Sequence, residues 1–314
     1  MPGRRLLILF ALLALSCVFY LTYGARGDIG FALQFRGPKL VALMITGAAI
    51  AVSTKLFQTV TGNRILTPAI MGFDSLYVLI EITLLFSLGG FGYAVLGEST
   101  RFSFSLVLMI AACIALFGTL MRQTQRDLHR MILVGIIFGI LFRSISGLLV
   151  RMIDPNEYAV LQSNLFANFN QMDLDLIGLS SLLIGVAIFA AWRMRNTLDT
   201  LELGREISIN LGLDHDRLVL VVLGIVALLA AVSTALVGPI IFFGLIVTSL
   251  AHQIVPSFRH RDLLPGTILI ACIVLVAGQS ILERVFHLDT TLSVVIDLVG
   301  GLTFLVLILR GNIR

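Results

Sequence analysis

The sequence predicts an all-α protein that crosses a membrane many times. Of its 314 residues, 58% are hydrophobic and only 13% are charged, about half the charged share of a typical soluble domain. The hydrophobic residues form runs of about 20, the length that spans a bilayer core as a helix. These runs lack the apolar–polar alternation of a membrane β-barrel. We therefore expect one transmembrane domain over residues 1–314.

Ten membrane spans can be drawn from these runs. The first follows the basic start MPGRR, and its apolar stretch is longer than that of a typical signal peptide, so it is interpreted as a retained span. The eighth is short and is expected to be a half-helix behind Gly238-Pro239. The predicted spans lie near residues 5–23, 38–58, 68–88, 103–122, 129–150, 175–195, 217–236, 241–254, 262–283 and 290–310.

Basic residues are distributed unevenly between the two sides of these spans. With the N-terminus inside, fifteen Lys and Arg residues fall in cytoplasmic segments, six fall outside and one, Arg143, lies within a span. Cytoplasmic loops of membrane proteins carry such an excess of basic residues. This distribution favours an even number of spans with both termini in the cytoplasm. It also accounts for the net charge of +4 without a nucleic-acid partner.

A polar segment, residues 196–217, interrupts the apolar runs after the sixth span. Its apolar residues recur at the spacing of one helix face, at Leu203, Ile207 and Leu211. Gly204 and Gly212 break this pattern, so we expect two short amphipathic helices with glycine stops. Such a structured polar surface indicates contact with a partner. The chain has no GxxxxGK[ST] motif and therefore does not bind ATP through a loop of that type.

Four ionisable residues lie inside predicted spans, where a charge is costly: Asp74, Glu81, Arg143 and Asp297. Asp74 and Glu81 are seven residues apart and share one face of the third span. Two interpretations remain open. The carboxylates are suited to couple transport to a proton or sodium gradient, as in a secondary transporter, or to pair with Arg143 and hold helices together.

No pattern indicates a metal site, a resident cofactor or an enzyme. The five histidines lie near span ends or in loops without HExxH spacing. The three cysteines each lie alone in an apolar run and are interpreted as small apolar fillers. Outside, Arg36, Lys39 and Arg284 are either interfacial anchors or a dock for an acidic partner or anionic substrate. The break at Gly238-Pro239 is either a tight turn or the border of a cavity.

The order of short motifs resembles the FecCD-type permease subunits of ABC importers for ferric siderophores and cobalamin. The R-x-P-R element of that family reads Arg36-Gly-Pro-Lys39 here. Further matches are Gln58, Pro68, Gly72, the L-x-L-G…L-G loop at 201–212, the G-P-I-x-F-x-G-L stretch at 238–245 and the R-H-R-x-L-L-P stretch at 259–265. The stretch GNRILTP…GFDSLYVL is similar to the branch for catecholate-type siderophores. Thr248-Ser249 replaces the usual Pro-His pair, and the usual Asp of the ninth span is replaced near Gly278-Gln279.

The resemblance implies a permease subunit that moves an iron–siderophore complex and catalyses nothing itself. It implies contact with a separate ATPase subunit through Leu201, Gly204, Arg205, Ile207, Ser208, Leu211 and Gly212. It implies contact with a periplasmic substrate-binding protein through Arg36, Lys39 and Arg284. A second permease, a non-identical sister or another copy, would complete a translocation path beside Gln58, Pro68, Gly72, Gly238 and Pro239.

Overall fold

A computed structural model describes residues 2–23, 29–123, 128–165, 169, 174–284 and 292–309. Every regular element in these ranges is helical. The helices are α1 (Pro2–Thr22), α2 (Ile29–Thr61), α3 (Phe73–Val95), α4 (Glu98–Gln123), α5 (Leu128–Val150), α6 (Pro155–Leu165), α7 (Leu174–Arg193), α8 (Arg195–Leu201), α9 (Arg205–Asn210), α10 (His215–Val237), α11 (Phe243–Ile254), α12 (His260–Arg284) and α13 (Leu292–Leu309), with a 3₁₀ turn at Pro68–Met71.

Eight helices of the described ranges are long and apolar enough to cross a membrane. The eighth and tenth predicted spans correspond to shorter apolar helices, α11 and the Leu292–Thr303 part of α13. Helix α11 has 12 residues, or about 18 Å of length. The expectation of a half-helix behind Gly238-Pro239 is therefore confirmed.

Helix α2 lies at the centre of the bundle. Its 33 residues give a length of about 50 Å, and it packs against α1, α7, α10, α11 and α12. The predicted span 38–58 was too short, because the helix begins at Ile29 and continues through Pro38. Proline removes one backbone donor from the helix, and membrane helices tolerate that loss where neighbouring groups compensate for it.

The third span begins later than predicted. Residues 68–71 form the 3₁₀ turn, and Gly72 then takes a left-handed φ of +89° before α3 starts. A Cβ added to Gly72 would lie 2.5 Å from the Cα atom of Gly139 on α5. The two backbones therefore meet without a side chain between them. Only glycine fits this contact, which joins the 3₁₀ turn to α5.

Helix α3 is interrupted at Gly89, whose φ is +69°. The break exposes the backbone N–H of Gly90, which donates to Oε1 of Glu157 at 3.0 Å. Glu157 belongs to α6, a helix that no hydrophobic pattern predicted. Its start signal was nevertheless present, because Asp154 accepts from the N–H of Asn156 at 2.8 Å and Pro155 is the first helical residue.

We expect Glu157→Ala to lower the apparent Tm of the detergent-purified protein, at a cost of about 1 kcal/mol, because the Gly90 N–H loses its acceptor. Glu157→Gln retains an acceptor oxygen and should lose less. Thermal unfolding of the two variants beside the unsubstituted protein checks this. Equal Tm values for all three would show that Glu157 does not stabilise the break in α3.

Candidate functional site

The polar segment forms two short helices, as predicted. Helix α8 ends before Gly204, and α9 ends before Gly212. Both glycines have left-handed φ angles, +95° and +86°, so each turns the chain where the amphipathic pattern breaks. The segment ends earlier than residue 217, because Asp214 accepts from the N–H of Arg217 and caps the start of α10.

Four apolar side chains of this segment face outwards: Leu203 (55% exposed), Ile207 (49%), Ile209 (44%) and Leu211 (62%). We call them the apolar patch. Three of them are the residues that the helical spacing placed on one face. Because the surrounding segment is polar, a lipid environment does not explain their exposure.

The other predicted contact residues lie on the inner side of the segment or at its edge. Leu201 is buried in the helix core, and Ser208 is buried with its Oγ 2.8 Å from Nδ1 of His215. Arg205 is half-exposed and pairs with Asp216 at 3.5 Å. Leu201 and Ser208 therefore support the segment from within, and their part in the contact with an ATPase stays a prediction.

Beneath α8 lies a cluster of charged side chains. Lys55 of α2 is 1% exposed, and its Nζ lies 3.3 Å from Oε1 of Glu202. His260, also buried, places Nδ1 2.7 Å from Oδ1 of Asp199 and Nε2 2.7 Å from Oγ1 of Thr59. The sequence interpretation assigned no role to these groups. The one available signal was Lys55, a cation in the last turn of the predicted second span, where a buried charge would need a partner.

Gln58 connects α2 to its neighbours and does not line the described cavities. Its Nε2 donates to the carbonyl of Arg64 at 2.6 Å and to Oγ1 of Thr248 at 3.0 Å. Thr248, the residue that stands in place of the expected proline, thus supplies a hydrogen-bond partner on α11. The position predicted for the translocation path is a helix-joining residue within the described structure.

A cavity of about 330 Å³ lies between the 3₁₀ turn, the start of α3, α5 and residues 241–245. Gly72, Asp74 and Arg143 line it, and Pro68 lines a smaller neighbouring cavity. Within the described part of the chain, Oδ2 of Asp74 and Oγ1 of Thr67 are buried without a hydrogen-bond partner. Both residues line the larger cavity, so two unpartnered polar atoms belong to residues of its wall.

The break at Gly238-Pro239 adjoins this cavity. Gly238 has a φ of +92° and ends α10, and Ile241 lines the cavity. The N–H of Phe242 donates to Oδ1 of Asp297 on α13 at 3.3 Å. The backbone donor after the break is therefore satisfied by a neighbouring helix. Both open interpretations apply, because the break is a turn and it also borders a cavity, although Gly238 and Pro239 themselves do not line it.

Glu81 has a different environment from Asp74. It is buried and accepts from the hydroxyl of Tyr93 at 2.8 Å and from Oγ of Ser105 at 2.7 Å. The Tyr93 bond lies within α3, and the Ser105 bond connects α3 to α4. Glu81 therefore holds helices together through Ser105, whereas one of the two open interpretations had paired it with Arg143. Asp74 accepts from Oγ1 of Thr234 at 3.4 Å and shares the cavity wall with Arg143.

Comparison with known proteins gives this architecture a family. A model of the FecCD transport family matches residues 5–310. The chain belongs to the FecCD transport family.

Named permeases are similar to this FecCD chain over most of its length. The petrobactin import system permease YclO of Bacillus subtilis (strain 168) is 40% identical over 312 residues, which cover 99% of each chain. Two permeases of the petrobactin import system of Bacillus anthracis also match. FatC is 32% identical, covering 86% of this chain and 77% of its own, and FatD is 26% identical, covering 97% and 90%.

The fold of this FecCD chain is similar to a solved structure. That structure is an inward-facing conformation of a metal-chelate type ABC transporter, with a TM-score of 0.83 and 22% identity. The match covers 99% of this chain and all of the other. The chain is therefore a multi-pass membrane permease with the fold of an ABC importer subunit.

The cations predicted at the outer end of this FecCD permease contact other parts of the chain. Nη1 of Arg36 donates to the carbonyls of Leu21 at 2.9 Å and Tyr23 at 3.1 Å, which satisfies the C-terminal end of α1. Nζ of Lys39 lies 2.6 Å from Oε1 of Glu283 on α12. The side chain of Arg284 lies outside the described residues.

These contacts predict the effect of reversing one charge. Lys39→Glu opposes Glu283 across α2 and α12 and should lower the apparent Tm, at a cost of about 1 kcal/mol. Adding Glu283→Lys forms a salt bridge in which the two charges are exchanged. It should restore most of the lost Tm. Thermal unfolding of the single and double variants measures this. An unchanged Tm for Lys39→Glu would favour the alternative role in docking.

Proposed function

We propose that this chain is the permease subunit of an ATP-driven importer for a ferric siderophore, with ATP hydrolysis in a separate subunit. The observation that carries the proposal is the apolar patch on the polar segment of a FecCD-family chain. Four exposed apolar side chains, two on α9 and two in the turns on either side of it, form a surface suited to burial against a folded partner. An ATPase is the partner that a chain without a phosphate-binding loop needs for ATP-driven import.

The cargo passes, in this proposal, beside the cavity that Gly72, Asp74 and Arg143 line. A second permease completes the path. FatC and FatD bear the name of one import system and both resemble this chain, which favours a non-identical sister over a second copy. Petrobactin occurs in the names of three relatives, so ferric petrobactin is the first cargo to test.

The orientation we propose has both termini and the polar segment in the cytoplasm of a bacterium, as the excess of basic residues favours. The substrate-binding protein then approaches the opposite, periplasmic end. Lys39 and Arg36 have contacts within the chain, and we propose that they and Arg284 lie at the end that this protein contacts.

A charge in the apolar patch should weaken ATPase docking. We expect Leu211→Asp to lower the affinity of the permease pair for the ATPase at least about tenfold, because a buried interface anchor commonly contributes more than 1.4 kcal/mol. Binding is measured by titrating ATPase onto permease pairs in nanodiscs.

The matched control is Asn210→Asp, which adds the same charge on α9 at an exposed polar position. It should retain most of the affinity. Equal affinities for Leu211→Asp and the unsubstituted protein would contradict docking at the patch.

Asp74 supports the rival function, an ion-coupled carrier, because its unpartnered carboxylate oxygen is at the cavity wall. Proteoliposomes holding the permease pair, ATPase and binding protein separate the two functions. We expect ferric-siderophore uptake to require ATP and to continue in Asp74→Asn vesicles after an uncoupler removes the proton gradient. Uptake driven by the gradient without ATP, and abolished in Asp74→Asn, would establish the ion-coupled carrier instead.

A further inference from the structure

The charged cluster beneath α8 joins three helices at one end of the bundle. Two carboxylates of the polar segment approach two buried side chains of the bundle, Glu202 towards the Lys55 ammonium at 3.3 Å and Asp199 towards the His260 imidazole at 2.7 Å. Thr59 adds a direct contact from α2 to His260 at 2.7 Å. We call these five residues the latch. Its members come from α2, from α8 and the residue that follows it, and from the start of α12.

Burial makes the latch contacts costly to break. Lys55 and His260 are almost completely buried, and a buried charge that loses its partner costs more than an exposed one. Asp199 also accepts from the backbone N–H of His260 at 2.7 Å. A carboxylate at that position satisfies a free donor of the first turn of α12 and interacts favourably with its dipole. A displacement of α8 therefore disturbs the buried Lys55 ammonium, the buried His260 imidazole and a helix start together.

The same two bundle helices are joined again at their other end. Lys39 of α2 pairs with Glu283 of α12 at 2.6 Å, and Gln279 donates to the same carboxylate at 2.6 Å. Between the ends they pack closely, because a Cβ on Gly47 would lie 3.4 Å from the backbone carbon of Ala271. Helices α2 and α12 thus form a unit with polar contacts at both ends and close packing between.

The outer helix of the segment is attached more loosely. Helix α9 connects to α8 through Gly204 and to α10 through Gly212, both with left-handed φ angles, and a Cβ on either glycine would meet no atom within 4 Å. Its buried contact is the bond of Ser208 to His215. Force on the apolar patch therefore reaches the bundle by two routes, through α10 and through α8 with its latch.

We propose that the latch transmits movement of the docked ATPase to α2 and α12, and that Asp199 and Glu202 are positioning residues for coupling. The inference rests on the proposed function. Neither residue touches the cargo cavity, and neither belongs to the apolar patch. Their role is to make α8 move together with the unit whose opposite end carries the Lys39–Glu283 pair.

The test measures coupling and docking separately. Asp199→Asn and Glu202→Gln keep side-chain size and remove the charge. In the reconstituted importer we expect ATPase affinity to be unchanged and ATP hydrolysis to continue, while siderophore imported per ATP hydrolysed falls about tenfold, within the usual range of coupling free energies. Glu206→Gln, an exposed carboxylate on α9, is the control and should keep the ratio. Combining Lys55→Gln with Glu202→Gln removes both charges of this pair and should recover part of the lost siderophore import per ATP hydrolysed.

Two results overturn the inference while the proposed function stands. One is an unchanged import ratio in both latch variants. The other is a parallel loss of ATPase affinity, which would mean that the latch only shapes the docking surface. Siderophore import without ATP by the unsubstituted assembly would overturn both this inference and the proposed function. Vesicles that hold only the unsubstituted proteins give this result. Thermal unfolding of each variant separates these outcomes from misfolding.

Discussion

The whole bundle depends on one constraint: a polar group inside a membrane protein needs a partner within the protein, because lipid offers none. Three irregular points of the described helices have such a partner on another helix. Glu157 accepts from the N–H freed at the break in α3, and Asp297 accepts from the N–H of Phe242 after the break in front of α11. Arg36 supplies donors to the last carbonyls of α1. In these three places a charged side chain satisfies backbone groups, whereas Lys39–Glu283 and Lys55–Glu202 are pairs of side chains.

Two of the exceptions to this rule lie at one cavity. Oδ2 of Asp74 and Oγ1 of Thr67 are among the buried polar atoms without a hydrogen-bond partner in the described structure, and both residues line the same cavity. A buried polar atom without a partner is costly, so it is expected where another molecule supplies the missing bond. The irregular backbone around Gly72 and Ile241 borders the same space. Polar atoms and broken helices therefore mark a common region.

Much of the fold was predictable because the lengths of the hydrophobic runs and the positions of the helix-ending glycines are local features of the sequence. The run lengths predicted the spans, and Gly204 and Gly212 predicted the two short helices. The third span and α2 were misjudged at their starts, since Pro38 lies within a helix and Gly72 precedes one. The latch was not predictable, because Asp199 and His260 are 61 residues apart and their pairing depends on how α8 packs on α12. Lys39 shows the same limit, as its partner Glu283 lies 244 residues away.

The glycine boundaries of α9 have a consequence for how such permeases diversify. The helix between Gly204 and Gly212 contributes little to the core, and its exposed residues are separated from the buried cluster beneath α8. A change of residues on its outer face therefore leaves the bundle largely undisturbed. In the proposed docking arrangement, specificity for one ATPase subunit over another can then evolve independently of the proposed cargo path. In a cell that holds several importers, this separation would allow duplicated permeases to bind different ATPase subunits without a change in the fold of the helix bundle.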